Sequence, residues 1–190
     1  MRKTYSILVF CLILLFIGIL SVRSIKADEQ PIESYSASIS SMGGSSRAPT
    51  PVNIRIFSYT SDEDRERLAE MLKTKGQDAV ADAIFKVVKG KITPVGGVGM
   101  DINYIRALQT DKGKTIRLAC ARQMSFFEQN QAGLSTEYPF TIVDLTFGND
   151  GKIEGTIVAK ASVQLNKDNV VDIKSYGSDR LRLLNIKKQK

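Results

Sequence analysis

The chain contains no histidine and no tryptophan, and only two cysteines and five prolines in 190 residues. Without histidine there is no general base for Ser-His-Asp or Cys-His catalysis, and the commonest zinc ligand is missing. One of the two cysteines, Cys11, lies in an N-terminal apolar run, so the rest of the chain holds only Cys120 and cannot close an internal disulfide. Phosphate-cradling glycine motifs are also missing. Pro94-Val95-Gly96-Gly97-Val98-Gly99 lacks the Gly-Lys-Ser/Thr end of a P-loop and the spacing of a dinucleotide fingerprint, and it reads as a turning lead into the next strand. Asn166-Lys167-Asp168-Asn169 lacks the spacing and the bidentate glutamate of a calcium loop and reads as a turn. Glu137 with Asp144 is the kind of carboxylate pair that any β-rich chain offers by chance. The expectation is a protein without cofactor or metal and not an enzyme.

The first 27 residues read as a targeting segment. Arg2 and Lys3 precede an apolar run over residues 7–20, and cleavage after Ser24 or Ala27 suits a signal peptide. The rival reading is an uncleaved anchor through residues 7–22, about 16 residues against the roughly 20 of a spanning helix. The two readings place the protein in the periplasm or outside the cell, or tether it to the inner membrane. In either case the membrane is met only through this segment. The segment carries Arg2, Lys3, Arg23 and Lys26 and no acid, so its removal leaves 23 basic against 20 acidic residues. A net charge of +3 implies no nucleic-acid partner.

The remaining chain divides into a polar tether with a weak first strand over residues 28–51 and one domain over 52–190. In the domain's last third, residues 140–147, 153–165, 170–176 and 181–187 read as strands. Residues 153–165 alternate most cleanly, with Ile153, Gly155, Ile157, Ala159, Ala161, Val163 and Leu165 on one face, as in a strand with one buried side. Connections of two to five residues at 148–151, 166–169 and 177–179 predict an antiparallel meander. From 181 onward the pattern slips, because Leu181 and Leu183 share a face while Leu184 and Ile186 share the other; a β-bulge near Leu183 accounts for this. Earlier strands are predicted over 52–59, 102–109 and 114–123, with a hairpin across Asp111-Lys112-Gly113.

Between the strands at 52–59 and 102–109 the period changes. Ser61 as N-cap, Asp62, Glu63 and Asp64 in the first turn and Gly76 at the end predict one helix. Ala79, Val80, Ala83, Ile84, Val87 and Val88 predict a second, running from about 78 to 88. Together they form an αα-hairpin laid on the sheet, with Gly155, Ala159 and Ala161 as places where a helix approaches closely. The expected fold is α+β: a curved antiparallel β-meander of seven to nine strands, barrel closure left open, with an inserted αα-hairpin.

The succession Met100-Asp101-Ile102-Asn103-Tyr104-Ile105-Arg106, Ser125-Phe126-Phe127-Glu128, Tyr138-Pro139-Phe140-Thr141 and Tyr176-Gly177 before a final Arg/Leu strand carries a resemblance. The stretch from Ser61-Asp62-Glu63 to Gly76-Gln77-Asp78-Ala79 agrees with it. Over residues 52–187 the chain is similar to a family of small uncharacterised exported bacterial proteins to which no activity is attached. The chain departs from that pattern at Asn103, where a histidine is expected, and at Phe127, where a tryptophan is expected. The resemblance implies export and a β-rich fold, and nothing about chemistry.

The candidate site residues are the strand arginines Arg106, Arg117 and Arg122, the acids Glu128 and Asp144, and the aromatics Phe126 and Tyr138. Arg122 follows Ile116, Leu118 and Cys120 in alternation, so it points inward and needs Asp144 or Glu128 as partner, since an unpaired buried cation is costly. The aromatics serve either as a pocket mouth or as a core plug. Cys120 shares the face of Ile116 and Leu118 and is expected to be buried and inert. Two functions follow: an envelope or secreted module that binds another macromolecule, or a carrier for a small apolar ligand inside the curved sheet. A cavity facing Ala159 and Ala161 would mark the carrier, and a filled core with an exposed apolar patch would mark the module.

Overall fold

The structure, a computed structural model, describes residues 30–41, 48–111, 113–121, 138–167, 171–177 and 180–189. Residues 1–27, read as a targeting segment, and Arg122, Phe126 and Glu128 lie outside the described residues. Pro31–Lys190 separates as one compact unit.

In chain order the elements are β1 Glu33–Ser41, β2 Thr50–Ile56, α1 Asp62–Lys75, α2 Gln77–Ile84, β3 Gly90–Pro94, β4 Met100–Ile102, β5 Tyr104–Thr110, β6 Gly113–Ala121, β7 Phe140–Gly148, β8 Ile153–Leu165, β9 Val171–Tyr176 and β10 Arg180–Gln189. The strands form one sheet in the order β4-β3-β2-β1-β10-β8-β7-β6-β5, with β9 also paired to β8. Every pairing is antiparallel. The two ends of that path, β4 and β5, are consecutive in the chain and separated only by Asn103. The sheet therefore nearly closes on itself into a barrel-like form. At the seam the Lys89 amide donates to the Ile102 carbonyl on one side (2.7 Å), and the Asn103 amide donates to the Ala119 carbonyl of β6 on the other (2.9 Å).

Alternation along the strands sorts the apolar side chains into two layers. The inner layer gathers Tyr35, Ile54, Ile56, Ile92, Ile102, Ile105, Ile116, Leu118, Val143, Leu145, Ile157 and Leu183, among others, from nine of the ten strands. The outer layer holds Tyr104, Ala119, Ala121, Phe140, Ile142, Val158, Ala161 and Val163, covered by Leu68 of α1 and Val80, Ala81 and Ile84 of α2. Each of the fully buried branched side chains contributes about 1.5–3 kcal/mol of transfer free energy.

The helix start is as predicted: Ser61 Oγ accepts from the Asp64 amide (3.2 Å), three acids follow, and Gly76 takes a positive φ of 83° at the end. Helix α2, however, stops at Ile84, and Val87 and Val88 are more than a third exposed. The cause lies in Asn103, whose Nδ2 donates to the carbonyls of Phe85 (3.2 Å) and Val87 (2.7 Å) and holds the chain against the barrel seam.

Further differences follow from bulges and close approaches. Strand β1, read as weak, is nine residues long and lies between β2 and β10, with Tyr35 buried. Residues 90–94, which run into the stretch 94–99 read as a turning lead, form β3; a single apolar residue, Ile92, two positions before a proline gives little periodic signal. On β8, Phe140 opposes Ala161 while Ile142 opposes Val158, so two steps on β7 match three on β8. This bulge moves Ala161 and Val163 from the inner face to the helix side. Strand β9 pairs antiparallel with β8 across the predicted turn. However, β9 and β10 both run antiparallel to β8, so the chain does not reverse between them and the meander ends at β9. The slip in β10 is a bulge at Asn185, which has φ of 54°; Ser36 opposes Lys187 while Ser38 opposes Leu184. It returns Ile186 to the inner layer beside Leu181 and Leu183. Gly155 faces β10 rather than a helix, since a Cβ there would stand 2.7 Å from Leu183 Cβ and 2.8 Å from Ile186 Cδ1.

Candidate functional site

Three of the singled-out side chains stand in one row across the outer face of the sheet. Arg106 of β5 opposes Arg117 of β6, and Arg117 opposes Asp144 of β7. Arg117 Nε and Nη2 each donate to a different Asp144 oxygen at 2.8 Å, a bidentate pair. Its Nη1 donates to the Val171 carbonyl (2.9 Å) and to Asp172 Oδ1 (3.2 Å). Burial alone would lower the pKa of Arg117, but Asp144 and Asp172 outweigh it and raise the value, so the charge is held. The partner expected for Arg122 is thus engaged by Arg117, which ties β6, β7 and β9 together.

Arg106 is placed differently. Its Nε is buried and without a hydrogen-bond partner, and among the described residues no carboxylate forms an ion pair with it. The hydroxyl of Tyr104 interacts with it, and the Tyr104 pKa is raised by burial against an opposing pull from Arg106. Both residues line an open cleft of about 510 Å³ between β5 and α1, with Arg65, Glu66, Glu70 and Lys73 on the helix wall. Helical spacing sets those four on one side of α1. Arg65 is paired with Asp62 in the first helical turn.

Tyr138 packs against Gly177, where an added Cβ would sit 2.7 Å from its ring. Cys120 has 0% exposure, and its thiol is pushed up to about 12, by burial first and by the charge of Asp101 second. A thiol in that state is not a nucleophile at neutral pH. Among the described residues no group of three or more His, Cys, Asp or Glu is placed to hold a metal.

Two structural centres have weak sequence signals. Asn103, 4% exposed, also accepts the Ala121 amide on its Oδ1 (2.7 Å), so one side chain satisfies three backbone groups at the seam. A lone asparagine between Ile102 and Tyr104 is its only trace in sequence. Glu33 accepts hydrogen bonds from the hydroxyls of Tyr35 and of Tyr59 (2.7 Å) and pairs with Lys188 (3.4 Å). Burial acts to raise the Glu33 pKa, but these donors together hold it below its ordinary value, while burial and Glu33 drive both tyrosines upward.

The outer surface also carries exposed apolar side chains at the β3–β4 hairpin. Val95 is 65% and Val98 95% exposed. Comparison with protein-family models, with curated proteins and with solved structures returns no match.

Proposed function

We propose that the protein is a non-enzymatic exported module, periplasmic or secreted, that works by binding a partner macromolecule through the outside of its barrel. The observation that supports this reading is the content of the barrel. Fifteen buried side chains from nine strands meet there in one cluster, so the concave side is occupied by the protein itself. Ala161, which would have lined a carrier's cavity, is under the helices instead. The void between helices and sheet, lined by Leu68, Val80, Tyr104 and Phe140, has about 30 Å³, the space of one water. Outside, the polar cleft at Arg106 and the bare valines of the β3–β4 hairpin supply the mixture of charge and apolar contact that interfaces use. Export is supported by the basic start and apolar run of residues 2–20 and by the resemblance to small exported bacterial proteins.

The test is hydroxyl-radical footprinting of the protein in its native cell fraction and again after purification. Protection in the native fraction confined to outer-face positions such as Val98 supports the reading. Identical footprints, or recovery of an unprocessed chain from the cytoplasm, would overturn it.

A further inference from the structure

We propose that the cleft between α1 and β5 is a carboxylate-binding site anchored by the guanidinium of Arg106. The proposal rests on the reading of the protein as a binding module acting through its outer face, and it names the chemistry that one part of that face takes. Arg106 and Arg117 oppose each other across two strands, an arrangement of like charges that is unfavourable unless each is compensated. Of the nearby acids, Asp144 and Asp172 are committed to Arg117 and Asp62 to Arg65. Glu66 and Glu70 line the same cleft on the helix wall without an ion pair to Arg106 among the described residues. Among the described residues Arg106 keeps a buried Nε donor with no acceptor, which is a costly state for a group with five N–H donors. A carboxylate entering the cleft offers two oxygens to that planar fork, and Tyr104 lines the same cleft beside it.

The walls select among anions. Arg65 and Lys73 add positive charge, but Glu66 and Glu70 stand beside them, so the lining is near balance. Such a site suits a singly charged carboxylate and repels a phosphate dianion. The carboxylate can come from an acidic side chain of a protein partner or from a small organic acid; the chemistry is the same, and the experiment separates the two.

The experiment follows the Arg106 Nε–H signal by NMR in protein isolated from cells grown on ¹⁵N-arginine, assigned by its loss in Arg106→Lys. The probes are sodium acetate and an N-acetylated, C-amidated hexaglutamate peptide, each exchanged against chloride at constant ionic strength. A saturable downfield shift of the Arg106 signal with either probe is expected. Saturation by the peptide at a tenfold or lower concentration than acetate assigns the site to a partner's acidic side chain, and equal response per carboxylate assigns it to small acids. Three results overturn the proposal: no shift with either probe, inorganic phosphate saturating below acetate, or unchanged probe-induced shifts of α1 amides in a folded Arg106→Gln protein. If the Arg106 signal stays still while the native footprint persists on the outer face, the carboxylate site falls and the binding-module reading stands.

Discussion

Arg117 and Asp144 face each other directly across β6 and β7 and are joined by two hydrogen bonds of 2.8 Å, with side chains only 16% and 20% exposed. Taking away one partner leaves the other without its main counter-charge in a half-dry site. Replacing both with apolar side chains removes both charges and leaves only the Val171 carbonyl and the half-exposed Asp172 without Arg117. Asp144→Ala is expected to destabilise by about 1–3 kcal/mol, and the double change Arg117→Met with Asp144→Leu by less than either single change. Urea denaturation of the four proteins of this cycle measures it. A double variant as weak as the sum of the singles would show that the pair is not a coupled unit.

Asn103 is the structural pin of the seam. Asn103→Leu keeps the branching and heavy-atom count but orphans the Phe85 and Val87 carbonyls and the Ala121 amide. A loss of about 2–4 kcal/mol is expected from unsatisfied buried groups. Hydrogen exchange at Ala121 should accelerate more than at Leu118. Uniform acceleration across β6 would contradict a local role.

Gly155 has no room for a methyl group against Leu183 and Ile186. Gly155→Ala should cost about 1–3 kcal/mol by overpacking, read as a lowered denaturation midpoint. An unchanged midpoint would mean that β8 and β10 separate easily.

Glu33 makes stability depend on pH at both ends. Its pKa is lowered in the folded state, so its contribution is present above the ordinary value of 4.5 and is lost as pH falls through the folded value. The stability difference between wild type and Glu33→Gln should therefore be full at neutral pH and shrink in acid below about pH 4.5. Tyr35 and Tyr59 have raised values, so their contribution is full below 10 and is lost as pH rises beyond it. Denaturation midpoints from pH 2 to 11 check both limbs. A difference that persists undiminished at pH 2 would contradict the assignment.

Cys120 lies in the inner layer with its thiol pushed up to about 12. A thiol reagent at pH 8 should label it only after denaturation. Rapid labelling of the native protein would show that the barrel opens.

Much of the sheet was legible because its strands alternate. Residues 153–165 are β8 to the residue, and Ser61 and Gly76 bound α1 because their backbone chemistry is local. Legibility failed where a single residue changes the register. The bulge on β8 and the one at Asn185 each shift a strand by one position, which exchanges its faces. Strand β3 exposes too few apolar residues to show a period. At the candidate site the sequence marked Arg106, Arg117 and Asp144, since charges inside strands need partners. Which arginine meets which acid depends on the register of β5, β6 and β7, and that is set by long-range pairing. Asn103 and Glu33 act on groups that are distant in sequence, so no local pattern announces them.

The most direct test of the account is native mass spectrometry of the protein isolated from its own cell fraction, followed by organic extraction. The signal-peptide reading predicts a chain beginning at Ile25 or Asp28, and the filled barrel predicts no apolar molecule attached. A small apolar compound that leaves only when the protein unfolds would contradict it and would make the barrel a carrier.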